Sequence, residues 1–173
     1  QAMSQGAFGL STGLEYIPSR FAGSEELIKL CKVVAKYGGF YATHMRSEDT
    51  QLMEAVAEAI HIAESADLPL QISHLKACGK SNYYKIPMVF DLMEKAKERE
   101  LHVAADRYPY RASSTSLNIK FPKWAMAGGA KKFVERLKNK DDRQKMKEGV
   151  LEKIEGSYGF ESMLISHVNN KKN

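Results

Sequence analysis

Two histidines end two short apolar segments of the sequence. His44 closes Phe40-Tyr41-Ala42-Thr43-His44, and His74 closes Leu70-Gln71-Ile72-Ser73-His74. An imidazole can ligate a metal ion such as zinc, or it can transfer a proton in acid–base catalysis. A single histidine at a strand end is more often a hydrogen-bonded structural residue, so the chemistry depends on whether the two rings meet.

A segment with helical periodicity separates the two histidines, so the three pieces form one strand–helix–strand unit of about thirty residues. The apolar positions of that helix are Leu52, Val56, Ala59, Ile60 and Ala63. The two strands of such a unit run parallel and lie about 4.8 Å apart when they pair directly. Their carboxyl ends then meet at one edge of the sheet, where two imidazoles can share one cation. The spacing therefore predicts that His44 and His74 are part of a metal site.

The alternation of strands and helices continues along the rest of the chain. Apolar segments predict strands over residues 6–11, 40–44, 70–74, 101–106 and 163–168. Helices are predicted from an N-cap at Ser24 to Gly38-Gly39, over 50–66 and 86–99, and over a charged region, 129–154, broken at Asp141-Asp142. This order indicates an α/β fold with a parallel sheet, either an open doubly wound sheet or a (β/α)8 barrel. Only about five strands are visible where a barrel needs eight, so we expect a chain cut at both ends.

Composition narrows the function classes. The net charge is +5, but the lysines alternate with acidic residues, as over residues 94–100, which is typical of a solvated helix face rather than of a nucleic-acid interface. No apolar run has the length of a membrane span and no signal peptide opens the chain, so we expect a cytoplasmic protein. Cys31 and Cys78 favour a reducing compartment, although a single disulfide between them stays open.

Four motifs carry a resemblance to a known family. Gly9-Leu10-Ser11-Thr12-Gly13-Leu14-Glu15-Tyr16, Tyr41-Ala42-Thr43-His44-Met45-Arg46, Gln71-Ile72-Ser73-His74-Leu75-Lys76 and Asp106-Arg107-Tyr108-Pro109-Tyr110 occur in this order. In order and approximate spacing they resemble the N-acyl-D-amino-acid deacylases of the amidohydrolase superfamily. The resemblance is expected to extend over nearly all of the chain, through the helix start at Gly128-Gly129-Ala130.

The resemblance implies a fold, a metal and a set of site residues. The fold would be a partial (β/α)8 barrel of the metal-dependent hydrolase type, covering the middle-to-late units. Residues 1–173 would form one incomplete domain, with residues 111–160 as a charged helical excursion. His44 and His74 match the family's zinc ligands on strands five and six. Tyr16, Lys76, Tyr108 and Ser114 match the positions that hold the substrate.

The resemblance also implies which parts of the family's site are not in this sequence. The family requires a His-x-His pair, a metal-binding cysteine and an aspartate that acts as general base, and no residue here matches them. Asp106 is expected to be a structural carboxylate at a strand end. The implied reaction is zinc-dependent hydrolysis of the amide bond of small N-acyl-D-amino acids in the parent enzyme. This chain alone is expected to be inactive and to self-associate through open barrel edges.

Two other readings of the histidine pair stay open. One is an α/β-barrel enzyme that acts on a sugar or phosphate and uses His44 and His74 as acid and base. The other is a non-catalytic fragment whose only property is association.

Overall fold

A four-stranded parallel sheet forms the centre of the computed structural model, which describes residues 1–155 and 159–166. The strands lie in chain order as β1 (Gly9–Gly13), β2 (Phe40–His44), β3 (Leu70–Ile72) and β4 (Val103–Ala105). The helices that connect them are α1 (Ser24–Ala35), α2 (Leu52–Ala66) and α3 (Lys85–Glu98). The predicted α/β class with a parallel sheet is confirmed.

The core lies between the sheet and these three helices. The five predicted core positions of α2 are all buried. On β2, Tyr41 and Thr43 are fully buried, whereas Phe40, Ala42 and His44 are at least partly exposed. This period of two places His44 on the other side of the sheet from the buried residues of its strand. Burial of the helix-facing side therefore fixes the direction in which His44 points.

The pairing register brings the carboxyl ends of the strands to one edge. Gly13 of β1 pairs with His44 of β2, and Thr43 of β2 pairs with Ile72 of β3. The residues that follow each strand therefore meet there, as at the carboxyl edge of other parallel β/α sheets.

Three further helices follow the sheet: α4 (Lys123–Met126), α5 (Gly129–Lys138) and α6 (Lys140–Glu155). The break in the charged region lies at Asn139, two residues before the predicted Asp141-Asp142. Asn139 has an extended backbone, and its side-chain oxygen accepts the backbone N–H groups of Asp141 and Asp142 at 3.0 Å. The asparagine therefore ends one helix and caps the next. Short 3₁₀ turns span Met3–Gln5, Ser19–Phe21, Lys80–Asn82, Leu117–Lys120 and Phe160–Ser162.

Four of the five strand predictions differ from the structure. β3 ends at Ile72 rather than at residue 74, and β4 spans Val103–Ala105 rather than residues 101–106. β1 begins at Gly9 rather than at Gly6, because Gly6 adopts a left-handed conformation (φ 97°) that ends the preceding turn. β1 also includes Thr12, whose hydroxyl hydrogen-bonds with the side chains of Tyr41 and Thr43. Residues 163–166 are not part of a strand, and residues 167–168 of that predicted strand lie outside the described residues.

The structure also tests the expectations for the start of α1, for the two cysteines and for membrane-spanning segments. The N-cap of α1 is Gly23, and Ser24 is the first helical residue, whose hydroxyl donates to Glu58 at 2.9 Å. Cys31 and Cys78 are free thiols, so they form no disulfide. Within residues 1–155 and 159–166, no helix has both the length and the apolar character that crossing a membrane requires.

Candidate metal centre

His44 and His74 reach the same edge of the sheet by different routes. His44 is the last residue of β2, whereas His74 lies two residues after β3 in a left-handed conformation (φ 42°). That uncommon conformation is stabilised because the backbone N–H of His74 donates to Oδ1 of Asp106 at 2.7 Å. Oδ2 of Asp106 accepts from the side chain of Gln71 at 2.7 Å. The expectation that Asp106 is a structural carboxylate at a strand end is confirmed.

The two imidazole rings meet edge to face. Nδ1 of His44 and Nε2 of His74 lie 3.0 Å apart, with ring centroids 4.6 Å apart and an interplanar angle of 75°. Two nitrogens that ligate one tetrahedral zinc ion at 2.0–2.1 Å lie about 3.3 Å from each other. The observed separation is close to that value, so small ring rotations would let both nitrogens contact one ion. The prediction that adjacent parallel strands bring the two rings together is confirmed.

The outer nitrogen of each ring faces a carboxylate. Nε2 of His44 lies 3.0 Å from Oε2 of Glu15, and Nδ1 of His74 lies 2.8 Å from Oε1 of Glu48. Metal-ligating histidines usually donate their other ring N–H to a carboxylate or a carbonyl, which fixes the tautomer and raises the basicity of the ligating nitrogen. Both inner nitrogens can therefore present a lone pair to a cation. The donor set fits a metal ion.

Glu15 and Glu48 were not among the predicted site residues. Glu15 follows β1 within the motif that ends at Tyr16, and Glu48 lies four residues after His44. Their signal in the sequence is a place shortly after strands that lead to the site, which does not distinguish them from loop carboxylates that face solvent. Together with the two histidines, Glu48 forms a group whose candidate ligand atoms lie within 4.8 Å of one another.

The environment of Glu15 keeps it ionised. Burial by itself would raise the pKa of this carboxyl, but the hydrogen bond with His44 and the positive charge of Lys153 hold the pKa below its usual value. Lys153 lies on α6, with Nζ 3.6 Å from Oε1 of Glu15, and donates to the carbonyl of Ile119 at 2.8 Å. Burial lowers the pKa of Lys153. α6 is thereby joined to the edge of the sheet that carries the histidines.

Lys76 and Tyr108 flank His74. Nζ of Lys76 lies 2.5 Å from Oε2 of Glu48 and donates to the carbonyl of His74 at 3.1 Å. The same nitrogen lies 5.5 Å from the centroid of the Tyr108 ring, which is 6.2 Å from the ring of His74. The structure thus brings these two predicted substrate-binding residues next to the histidine pair.

Tyr16 and Ser114 have different positions relative to the histidines. The Tyr16 ring lies 4.8 Å from the ring of His44, and its hydroxyl lies 3.2 Å from Oγ1 of Thr115. Ser114 is an exposed loop residue next to Thr115. The loop that carries Ser114 therefore reaches the site through Thr115, and a role for Ser114 stays a prediction.

These features define a class of protein: a parallel β/α sheet with side chains that could hold a cation at the carboxyl ends of its strands. Comparison with known proteins narrows that class. No protein-family model matches the sequence. The chain is similar to a D-aminoacylase from Alcaligenes xylosoxydans xylosoxydans, with 41% identity over 117 residues, which is 68% of this chain and 24% of that protein.

Two solved structures are similar to the chain in both fold and sequence. One is a crystal structure of D-aminoacylase described as defining a novel subset of amidohydrolases, with a TM-score of 0.60 and 39% identity, covering 63% of this chain and 23% of that one. The other is N-acyl-D-glutamate deacylase from Bordetella bronchiseptica with zinc and a phosphonate inhibitor, with a TM-score of 0.60 and 32% identity, covering 61% of this chain and 22% of that one.

This chain is therefore a homologue of the N-acyl-D-amino-acid deacylases. It spans 24% of the length of the curated relatives that it matches. The detected similarity covers between 67% and 69% of the chain, less than the nearly complete extent expected from the motifs.

Proposed function

We propose that this protein takes part in zinc-dependent hydrolysis of the amide bond of small N-acyl-D-amino acids. Water would add its oxygen to the acyl carbon, the C–N bond would break, and the products would be a carboxylate and a D-amino acid. The observation that carries the proposal is the pair of imidazole nitrogens 3.0 Å apart, each ring having its other nitrogen at a carboxylate. The names of its relatives supply the substrate class.

His44 and His74 would hold the zinc ion through Nδ1 and Nε2, respectively. When bound, zinc would act as a Lewis acid that polarises the amide carbonyl and lowers the pKa of water. Zinc is favoured over other cations because imidazole nitrogens are among its usual ligands and because a similar deacylase was solved with zinc.

The substrate's α-carboxylate would be bound by the residues around Lys76. Its ammonium group supplies a positive charge beside the histidine pair, and Tyr108 lies within reach of the same region. A charge-assisted contact of this kind fixes orientation as well as affinity. Tyr16 and Ser114 complete the proposed substrate-binding set, and the ring of Tyr16 is tilted against that of His44.

The proposal leaves the general base outside the residues of this chain. Asp106 contacts His74, but its two carboxylate oxygens accept hydrogen bonds from the backbone N–H of His74 and from the side chain of Gln71. Two imidazoles also fill only half of a four-coordinate zinc. We therefore expect the 173-residue chain by itself to hydrolyse N-acetyl-D-amino acids little or not at all.

We also propose that residues 1–173 are one incomplete (β/α) barrel domain, with residues 111–160 as a helical excursion. β1 and β4 are the outer strands of the described sheet, and unpaired outer strands favour self-association. Sedimentation of the purified chain as a monomer at all concentrations would contradict this self-association.

We also propose a cytoplasmic location for the protein, which its two free thiols support.

A chimera tests the proposed reaction. The segment of the Alcaligenes D-aminoacylase that aligns with this chain would be replaced by the corresponding residues of this chain. We expect the chimera to release D-amino acids from N-acetyl-D-amino acids, to prefer them over the L-enantiomers, and to lose activity on treatment with a chelator.

Matched variants of the chimera separate the proposed ligands from other histidines. His44→Asn should abolish hydrolysis, whereas His61→Asn should preserve it, because His61 is exposed on α2. A folded, zinc-loaded chimera without hydrolysis would contradict the proposal.

A further inference from the structure

Glu48 is a buried carboxylate that contacts two residues of the candidate site at once. Its side chain is 7% exposed, with Oε1 2.8 Å from Nδ1 of His74 and Oε2 2.5 Å from Nζ of Lys76. We propose that Glu48 is a positioning residue, which holds the His74 ring with Nε2 toward the metal and the Lys76 ammonium toward the substrate's carboxylate. This inference rests on the proposed function, because it assigns those roles to His74 and Lys76.

The backbone around Glu48 fixes its position between two loops. Its carbonyl accepts the backbone N–H of Cys78 at 2.6 Å, which ties the loop after β2 to the loop after β3. On the other side, the hydroxyl of Ser47 donates to Oδ1 of Asp49 at 2.7 Å and closes a tight turn. The backbone of Glu48 is therefore anchored to the loop that carries both residues that its carboxylate contacts.

The hydrogen-bonding needs of Glu48 select one tautomer of His74. Within the part of the chain that the structure describes, Oε1 is buried and accepts no well-aligned hydrogen bond. The nearby donor is Nδ1 of His74, which also lies 3.0 Å from Nζ of Lys76. Nδ1 can donate to Glu48 or accept a hydrogen bond from Lys76, but not both, and Lys76 has two other acceptors in Oε2 of Glu48 and the carbonyl of His74. A buried carboxylate oxygen without a donor is costly, so Glu48 favours the proton on Nδ1 and leaves the Nε2 lone pair free.

Glu48 and His44 contact opposite nitrogens of the same ring. His44 faces Nε2 of His74, and Glu48 faces Nδ1. An ion shared by the two histidines therefore lies on the far side of the ring from this carboxylate. Glu48 acts through His74 and not as a third ligand.

The test measures the zinc affinity of the 173-residue chain by competition with a chromophoric chelator. His74 and Lys76 face different oxygens of Glu48, and in Glu48→Gln only one of these two positions is still an acceptor, so zinc should bind about 10–100-fold more weakly. Adding Lys76→Met to that variant frees the amide oxygen to accept from His74 and should restore part of the lost zinc affinity. Glu58→Gln is the matched control, since Glu58 is also a part-buried, ion-paired carboxylate but contacts Arg46 instead.

A second readout follows the His74 ring directly. In the wild-type chain without zinc, long-range proton–nitrogen NMR should show the proton on Nδ1 of His74, and in Glu48→Gln that preference should be reduced. If Glu48→Gln does not fold, Glu48→Asp replaces it. A side chain one methylene shorter cannot reach both His74 and Lys76, so the zinc affinity should fall at least tenfold.

The outcomes separate this inference from the proposed function. An affinity in Glu48→Gln that equals that of Glu58→Gln would overturn the inference while leaving the metal site in place. Complete loss, as in His74→Asn, would make Glu48 a ligand and would also overturn it. A wild-type chain that binds no zinc, or a His74→Asn variant that binds as tightly as wild type, would refute the proposed function itself.

Discussion

Nδ1 of His44 and Nε2 of His74 face each other at 3.0 Å across two adjacent parallel strands. The use of different ring nitrogens follows from the backbone. His44 ends its strand in extended conformation, whereas His74 lies beyond its strand in a left-handed turn anchored by Asp106. The two rings therefore approach at a steep angle, and each one directs its remaining nitrogen at a different glutamate.

The ion pair between Arg46 and Glu58 should make stability depend on acid pH. Burial alone would raise the pKa of Glu58, but hydrogen bonds from Arg46 and Ser24 hold it below its ordinary value of 4.5. A lowered pKa in the folded state means that the stabilisation is present above about pH 4.5 and is lost as the pH falls through the folded value. Glu58→Gln should lower the free energy of unfolding at pH 7 by about 1–3 kcal/mol and flatten its acid dependence.

Urea unfolding between pH 3 and 7 checks this expectation. The control is Glu94→Gln, which removes an exposed pair with Lys97 and should change stability by less than about 0.5 kcal/mol. Parallel pH profiles for wild type and Glu58→Gln would show that the Arg46 pair contributes nothing in this range.

A side chain at Gly9 should disrupt the pairing of β1 with β2. A Cβ at this position would clash with the carbonyl oxygen of Phe40, its partner in the register. Gly9→Ala should therefore lower the free energy of unfolding by about 1–3 kcal/mol. Gly23→Ser is the control, because Gly23 has no atom within 4 Å of a built Cβ and occupies an N-cap, where serine is preferred. Equal urea midpoints for the two variants would be the contrary result.

The two thiols should be slow to react in the folded chain. Burial raises the pKa of Cys31 to about 11 and, together with the charge of Glu48, that of Cys78 to about 11. At pH 8 the thiolate fraction should fall roughly a hundredfold relative to an exposed thiol, and alkylation should slow with it. Mass spectrometry after iodoacetamide treatment, with and without urea, measures the rates. Labelling of both thiols as fast in buffer as in urea would contradict this account.

The sequence predicted the parts of the fold that depend on periodicity. The period of 3.6 in α2 identified its buried side, and two apolar segments with a histidine at or just beyond their ends became neighbouring strands. Resemblance then supplied roles for Lys76 and Tyr108, which the structure brings next to His74. The predictions of the buried helix side and of the strand pairing succeeded because burial and strand pairing are recorded in local pattern, whereas the roles of Lys76 and Tyr108 stay predictions.

The features that were missed depend on side chains in irregular segments. Glu15 and Glu48 lie in loops, where no periodic signal separates a carboxylate that orients a histidine from one that faces solvent. The shift of β1 depends on the hydroxyl contacts of Thr12, and the helix break depends on the two hydrogen bonds of Asn139. Each of these is a specific polar contact, which requires coordinates to recognise.

The central claim is that two imidazoles hold one ion, and long-range proton–nitrogen NMR of the chain during a zinc titration measures this most directly. We expect zinc to shift Nδ1 of His44 and Nε2 of His74 together, with a stoichiometry of about one ion per chain, since the two nitrogens already face each other. The ring-nitrogen chemical shifts of His61 and His102, which are both exposed, should not change. Zinc-dependent shifts at His61 or His102 with none at His44 and His74 would contradict the claim.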